Sequence, residues 1–492
     1  MISRNYDVLV VDPSPGALVA ATLLARAGLS VLVLEPELGT PGVGPFRFLR
    51  HRPPVIGFGQ GLLTRTMRSL KFHPHELQAV RRGTPGLQVI TTRHRIDLSA
   101  EPNELAAELR REYPHDADEL IALFEDARAS AGGFADALDA AVESAGQPGL
   151  LQSMGLTRPD WNPPLPPDDV PSWGEHLDAT SLSAEAKTLM RAILRPFCSL
   201  DVPEDLPLPV AGMHLGAALD GVYSDPGEED PLLALLLRRV RAMRVDVQPE
   251  ELLELTGGRR KVDAALFEGK AEDMPLQFVI TGGDPEDLLD RLPGPVRPYE
   301  RKLSRLAPSH FRYSIYLGVR EEVVPPDLAE HAILLDEDGD PEAPGGSILI
   351  STSLPGSPLA PAGRRAITAS TLLPYGDDGS VADEIEAVSA RMIERIKWLF
   401  PYLERHLEVL HVPQSTEATD EHPIGIDPRP AAYTPAIAPG DDPIAAGLGV
   451  AMPHRNVFCA GPAAFPALGL GGESLAGRLI ERLAMTGKQR PT

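Results

Sequence analysis

The sequence predicts an α/β protein in which a parallel sheet is assembled from separate stretches of chain and an α+β domain is inserted between them. Three stretches carry that expectation. The first is the opening: an apolar run from Tyr6 to Val11, a turn over Asp12 to Ala17, a helical pattern from Leu18 to Ala27 stopped by Gly28, and a second apolar run, Val31 to Leu34, closed by Glu35. The second is a strand from Leu276 to Thr281 that runs into Gly282-Gly283-Asp284-Pro285. The third is Asn456 to Ala484, where a short strand enters a Gly/Pro loop and a helix follows. Strands that are apolar nearly throughout are buried on both faces, as in a parallel sheet covered by other layers.

Taken in order, the opening βαβ has a Rossmann-type layout, with a turn that would face a dinucleotide and a terminal acid placed for ribose hydroxyls. Its helix carries Leu18, Ala21, Leu24 and Ala25 at helical spacing. Gly39 to Gly61 is glycine- and proline-rich, a loop of the kind that lies over a ligand in open α/β sheets. From Glu101 the pattern is helical, through Leu105, Leu109, Leu120 and Phe124, and it continues over Ala117 to Ala141. Gly146 to Asp169 reads as a proline-rich connection, and Ser181 to Leu194 as a further helix. Pro231 to Met243 is a short amphipathic helix. After it, Val245 to Val247, Leu252 to Leu255 and Val262 to Phe267 form a β meander that turns at Gly257-Gly258. Phe311 to Val319 alternates apolar and polar residues like a strand, Ser347 to Ser353 is another, and Asp383 to Phe400 is an amphipathic helix. The expected division is 1–75, 223–292 and 436–492 for the three segments of the nucleotide-type domain. The inserted domain would take 76–222, mostly helical, and 293–435, a sheet and a helix.

Composition narrows the function classes. With 46 basic and 70 acidic residues the formal charge is −24, which argues against nucleic acid as a partner, since phosphate binding needs a basic footprint. Two distant cysteines, Cys198 and Cys459, make no disulfide framework and point to a reducing compartment. No signal peptide and no run long enough for a spanning helix is visible, so a cytoplasmic protein is expected, with peripheral membrane contact left open. The 13 histidines show no HExxH or paired ligand spacing, so no metal site is expected. Ser474 lacks the flanking pattern of a nucleophile elbow.

Several of these stretches together carry a resemblance. The opening βαβ, the helical stretch Glu101 to Phe124, the run Val279 to Leu292 and the final loop are similar to the flavin-dependent phytoene desaturase branch of the amine-oxidase-like superfamily. Pro15, Gly16 and Leu18 match its strand–GAGPGGL–helix pattern, and Glu35 falls in register. In the last loop Asn456, Ala460, Gly461, Pro466, Gly469, Gly472, Gly477 and Arg478 match without gaps. The resemblance implies an FAD/NAD(P)-binding Rossmann-type domain in three segments, an inserted substrate domain, and FAD as cofactor. It implies oxidation or isomerisation of an apolar substrate, with isoprenoids and carotenoids among the candidates, by hydride transfer to flavin. The cofactor-binding residues it implies are Ser14, Gly16, Ala17, Glu35, Leu252, Gly461, Gly469, Gly471 and Gly472; no catalytic side chain carries over.

The fingerprint itself is degenerate. Where G-x-G-x-x-G is expected, Asp12, Ser14 and Ala17 stand at the glycine positions. The first glycine serves the tight turn, the second the close approach of backbone to pyrophosphate, and the third helix packing. Asp12 would put a carboxylate beside the pyrophosphate, and Pro13, Pro15 and Pro462 remove N–H donors. Ser14 equally reads as an N-cap with Pro15 at the first helical position, a helix start that requires no ligand. Two functions therefore stand open: an FAD-dependent oxidoreductase, and a non-catalytic member of the fold that has lost FAD and binds a lipid or a protein, as the Rab escort and GDP-dissociation-inhibitor proteins of this superfamily do. Neither oligomeric state nor electron acceptor is readable.

Overall fold

The computed structural model describes residues 5–34, 42–49, 55–58, 61–77, 80–83, 85–145, 161, 164, 166, 170–225, 230–270, 272–336, 340–341, 343–376, 385–419, 423–436 and 447–486. Glu35, residues 39–41, 50–54 and 59–60 of the Gly39–Gly61 loop, and most of the Gly146–Asp169 connection lie outside the described residues.

Five short strands form a parallel sheet in the order Val457–Cys459, Phe278–Thr281, Val8–Val11, Val31–Leu34, Asp246–Gln248. The first strand is central, so its C-terminal turn sits between the turns that follow its neighbours. Alternate residues serve two different cores because both faces are covered. Val8, Val10, Val31 and Val33 pack into the helical layer, whereas Leu9, Val11, Leu32 and Leu34 pack with Leu252, Leu255, Val262 and Phe267 of the meander. The meander strand runs Leu252–Gly258, so the glycine pair lies within it and the turn falls at residues 259–260. A register shift sits between Thr256 and Gly257, and Gly257 takes a φ of +151°, a bulge conformation suited to glycine.

The helical layer is led by Pro15–Arg26, which lies against the final helix Gly469–Thr486 and against Pro231–Ala242. Gly477 makes the first of these crossings possible, since a Cβ there would stand 2.3 Å from Gly16 O. Ala117–Ser144 crosses Leu208–Asp220 just as closely: a Cβ on Gly212 would meet Ala127 O at 1.9 Å. The helix expected from Ser181 starts at Ala184, because Ser183 is its N-cap and accepts from Ala186 N–H at 3.2 Å.

The second large sheet is mostly antiparallel, with Leu407–His411, Leu306–Arg320, Arg364–Pro374, Ser347–Thr352, His331–Leu335, Leu87–Ile90 and Arg95–Leu98 in that order. Leu87–Ile90 pairs parallel to His331–Leu335, which ties the early chain to the late sheet. One face, with Phe311, Tyr313, Ile315, Leu334 and Ile350, packs on Val388, Met392 and Ile396 of the helix Ile385–Leu399. The opposite face is buried as well, and Ile333, Leu335 and Leu349 join it to the main core. Among the described residues no helix is long and apolar enough to cross a membrane.

Candidate functional site

The central strand ends at Val11, and the chain turns through Asp12 with a φ of +48°, in the left-handed region. The tight turn of a glycine fingerprint is thus made by an aspartate, one of the few non-glycine residues that accept this conformation. Ser14 follows as the N-cap of Pro15–Arg26, with Pro15 in the first turn. Its Oγ accepts from Ala17 N–H at 3.3 Å and its hydroxyl donates to Ala460 O at 3.1 Å. The single proton of that hydroxyl and one of its two lone pairs are engaged within the chain, and Ala17 is fully buried.

The glycines are accounted for in the same way. A Cβ on Gly16 would lie 2.3 Å from Ala460 O and 2.4 Å from Glu473 O. One on Gly461 would lie 2.5 Å from Gly282 O, and one on Gly282 would lie 2.3 Å from Asp12 O and 2.4 Å from Ser14 N. The turns after the three adjacent strands therefore close on one another, backbone to backbone. Gly461 leads into a 3-10 turn begun by Pro462. Further along, a Cβ on Gly469 would lie 2.3 Å from Phe197 O and one on Gly472 2.5 Å from Phe465 O, while one on Gly471 would meet the Leu62 side chain at 3.3 Å. Leu252 is buried in the meander core. The structure brings Ser14, Gly16, Ala17 and Gly461 to one point; Gly469, Gly471 and Gly472 sit at the start of the last helix, and Leu252 is on the far side of the parallel sheet.

Carboxylates and two arginines share this edge. Burial raises the Asp12 carboxyl above its ordinary range, with Arg291 and Arg429 pulling it back and Asp287 pushing it further up. Asp284 is raised by burial, partly offset by the Glu286 N–H it accepts at 2.9 Å, with Asp287 and Glu286 adding to the rise. Two unit charges about 4 Å apart repel by about 4 kcal/mol at an effective dielectric near 20. A pyrophosphate brings further negative charge to turns whose Ser14 hydroxyl is engaged and whose Pro13, Pro15 and Pro462 carry no N–H. The residues at this edge do not fit the FAD pyrophosphate.

A second feature lies beyond it. Helices Leu62–Leu70, Ala117–Ser144 and Leu208–Asp220 and the start of the last helix enclose a cavity of about 300 Å³. Leu62, Ala135, Phe197, Met213 and Leu468 give it an apolar wall, with Arg65 and Arg128 as polar features. His214 also lines it; its Nε2–H donates to Ala467 O at 2.8 Å, and burial lowers its pKa, which keeps the ring neutral. Among the described residues no cluster of His, Cys, Asp and Glu could hold a metal ion.

No protein-family model matches the chain. Over 98 residues it is 41% identical to the chloroplastic prolycopene isomerase of Arabidopsis thaliana, a match spanning 18% of this chain and 16% of that protein. Among solved structures it is similar to the cyclohexylamine oxidase of Brevibacterium oxydans, with a TM-score of 0.57 at 15% identity over 99% of this chain and 100% of that one. An oxidoreductase from Methanosarcina mazei gives 0.59 at 13% identity over 96% and 99%. The chain has the amine-oxidase-like fold. A Rab GDI from Plasmodium falciparum shares this amine-oxidase-like fold, with a TM-score of 0.50 at 11% identity over 83% of this chain and 88% of that one.

Gly282, His214 and the cavity helix Leu208–Asp220 carry no site signature in the sequence. The Gly282-Gly283 pair was visible as a strand end, but its role against Asp12 and Ser14 depends on strand order. The apolar wall had no signature separable from ordinary core.

Proposed function

We propose that this chain binds an apolar ligand in the helix-walled cavity, on an amine-oxidase-like fold whose dinucleotide turn is closed by its own residues. The observation that carries the reading is the double commitment of Ser14, to Ala17 N–H and to Ala460 O, where a fingerprint glycine would leave room for phosphate. The cavity supports the ligand class: at about 300 Å³ with a largely apolar wall it falls at the low end of ligand pockets, roughly 300–1,000 Å³. A second reading, FAD-dependent oxidation or isomerisation of the same ligand, is favoured by the partial match to a prolycopene isomerase.

Fluorescence titration with retinol, an apolar polyene, tests the ligand class. The purified chain should bind it saturably, and Gly216→Phe should abolish saturation. Gly216 lines the cavity, and the nearest atom a Cβ there would meet is Arg128 Cγ at 4.0 Å, so the position accepts a Cβ without striking backbone. Absence of saturable binding, or equal binding by Gly216→Phe, contradicts the reading.

A further inference from the structure

The inner face of the large sheet holds a buried positive charge that the apolar cavity does not explain. Arg312 lies on Leu306–Arg320, opposite Leu372, between Phe311 and Tyr313, which face the Ile385–Leu399 helix; Arg312 therefore points to the other side. It is only 7% exposed, and its Nε is buried with no hydrogen-bond partner among the described residues. Burial alone lowers its pKa, to about 10, so the guanidinium stays charged at neutral pH. Arg195, half-buried at the end of the Ala184–Leu194 helix, lines the same cavity. Neither arginine is paired with a carboxylate among the described residues. In a chain with 70 acidic and 46 basic residues, two arginines that have no carboxylate partner among the described residues converge on one cavity. A buried charge without a counter-charge is destabilising, and a hydrogen-bonded anion offsets that.

The cavity also has the lining an oxyanion requires. Ser370 stands on the neighbouring strand, and Ser347, Leu349, Thr371, Pro341 and Ala343 also line the cavity. Thr371 is engaged already, donating to Ser347 O at 2.9 Å and accepting from Gly345 N–H at 3.3 Å, so the arginines and Ser370 are left for a guest. The free space, about 20 Å³, exceeds the roughly 10–15 Å³ that holds one water, which suits a small group rather than a whole ligand. We propose that Arg312 and Arg195 form an oxyanion site, the guanidinium fork of Arg312 meeting two oxygens of a carboxylate or a comparable small oxyanion. The oxyanion is either a free small anion or the head group of an amphipathic ligand. The second source rests on the apolar-cavity reading: Arg195 and Pro196 line the polar cavity while Phe197, next in the chain, lines the apolar one.

Unfolding midpoints at pH 7 and constant ionic strength, with acetate, inorganic phosphate and octanoate as probes, test this. The midpoint of the unaltered chain should rise with at least one of the three, the rise should vanish in Arg312→Met, and Arg195→Gln and Ser370→Ala should each raise the half-saturating concentration. If Arg312→Met does not fold, the Arg195→Gln and Ser370→Ala shifts decide alone. Acetate or phosphate acting as well as octanoate identifies a free anion. Octanoate acting at far lower concentration, with that advantage lost in Gly216→Phe, identifies a head group. An anion effect with no octanoate advantage and no retinol binding keeps the oxyanion site and sinks the apolar-ligand reading. Midpoints that none of the three probes raises, or that respond identically in all variants, overturn the site.

Discussion

Asp12 places a carboxylate, in a left-handed backbone conformation, at the C-terminal end of the central strand. Because its folded pKa is raised above 3.8, the charge destabilises the fold: what the residue contributes is fully present below about pH 3.8 and is lost as pH rises. Asp12→Asn keeps a side chain that tolerates positive φ and removes the charge. It should raise the unfolding midpoint at pH 7, with the gain disappearing by pH 3.5 (roughly the range in which an ordinary carboxyl protonates). A pH series of thermal melts measures this. Gly16→Ala acts in the other direction, because its Cβ would be caught between the carbonyls of Ala460 and Glu473, both backbone. A loss of about 1–3 kcal/mol in chemical denaturation is expected, the usual cost of overpacking a close contact. At this scale the sequence was half legible. Ser14 as N-cap and Asp12 as an obstacle to phosphate follow from side-chain chemistry, but Gly16 facing the C-terminal segment depends on partners more than 400 positions away.

Among the elements, Ala117–Ser144 shows which glycines are bound to packing and which are not. Gly212, on the helix that crosses it, cannot accept a Cβ, whereas Gly133, within it, would place one where nothing stands within 4 Å. Gly133→Ala should therefore stabilise the protein by about 0.5–1 kcal/mol, through helix propensity and a less flexible unfolded chain, as a higher denaturation midpoint. The same helix is tied to its neighbours by Arg65, which reaches Asp136 at 2.6 Å and Asp139 at 3.3 Å, and by Arg478, which pairs with Asp139 and Glu143. Helices of this length announce themselves by periodicity. Strands such as Leu87–Ile90 and Arg364–Pro374 did not, since the first is only four residues long and the second is buried over most of its length.

Across the whole molecule, three distant segments bring their strands side by side, and this layout was readable from the opening βαβ and the two strand–glycine turns. The polar cavity was not. Alternation in Phe311 to Val319 assigns Arg312 to a face opposite the apolar residues, and such a face is ordinarily solvated; only the tertiary arrangement covers it. What remains decisive is whether the closed turn after the central strand excludes the dinucleotide. Expressing the chain in flavin-replete cells, recording its visible spectrum, and titrating the pure protein with FAD tests that directly. The account predicts a colourless protein that takes up no added FAD; a yellow protein carrying FAD at close to one equivalent per chain would contradict it.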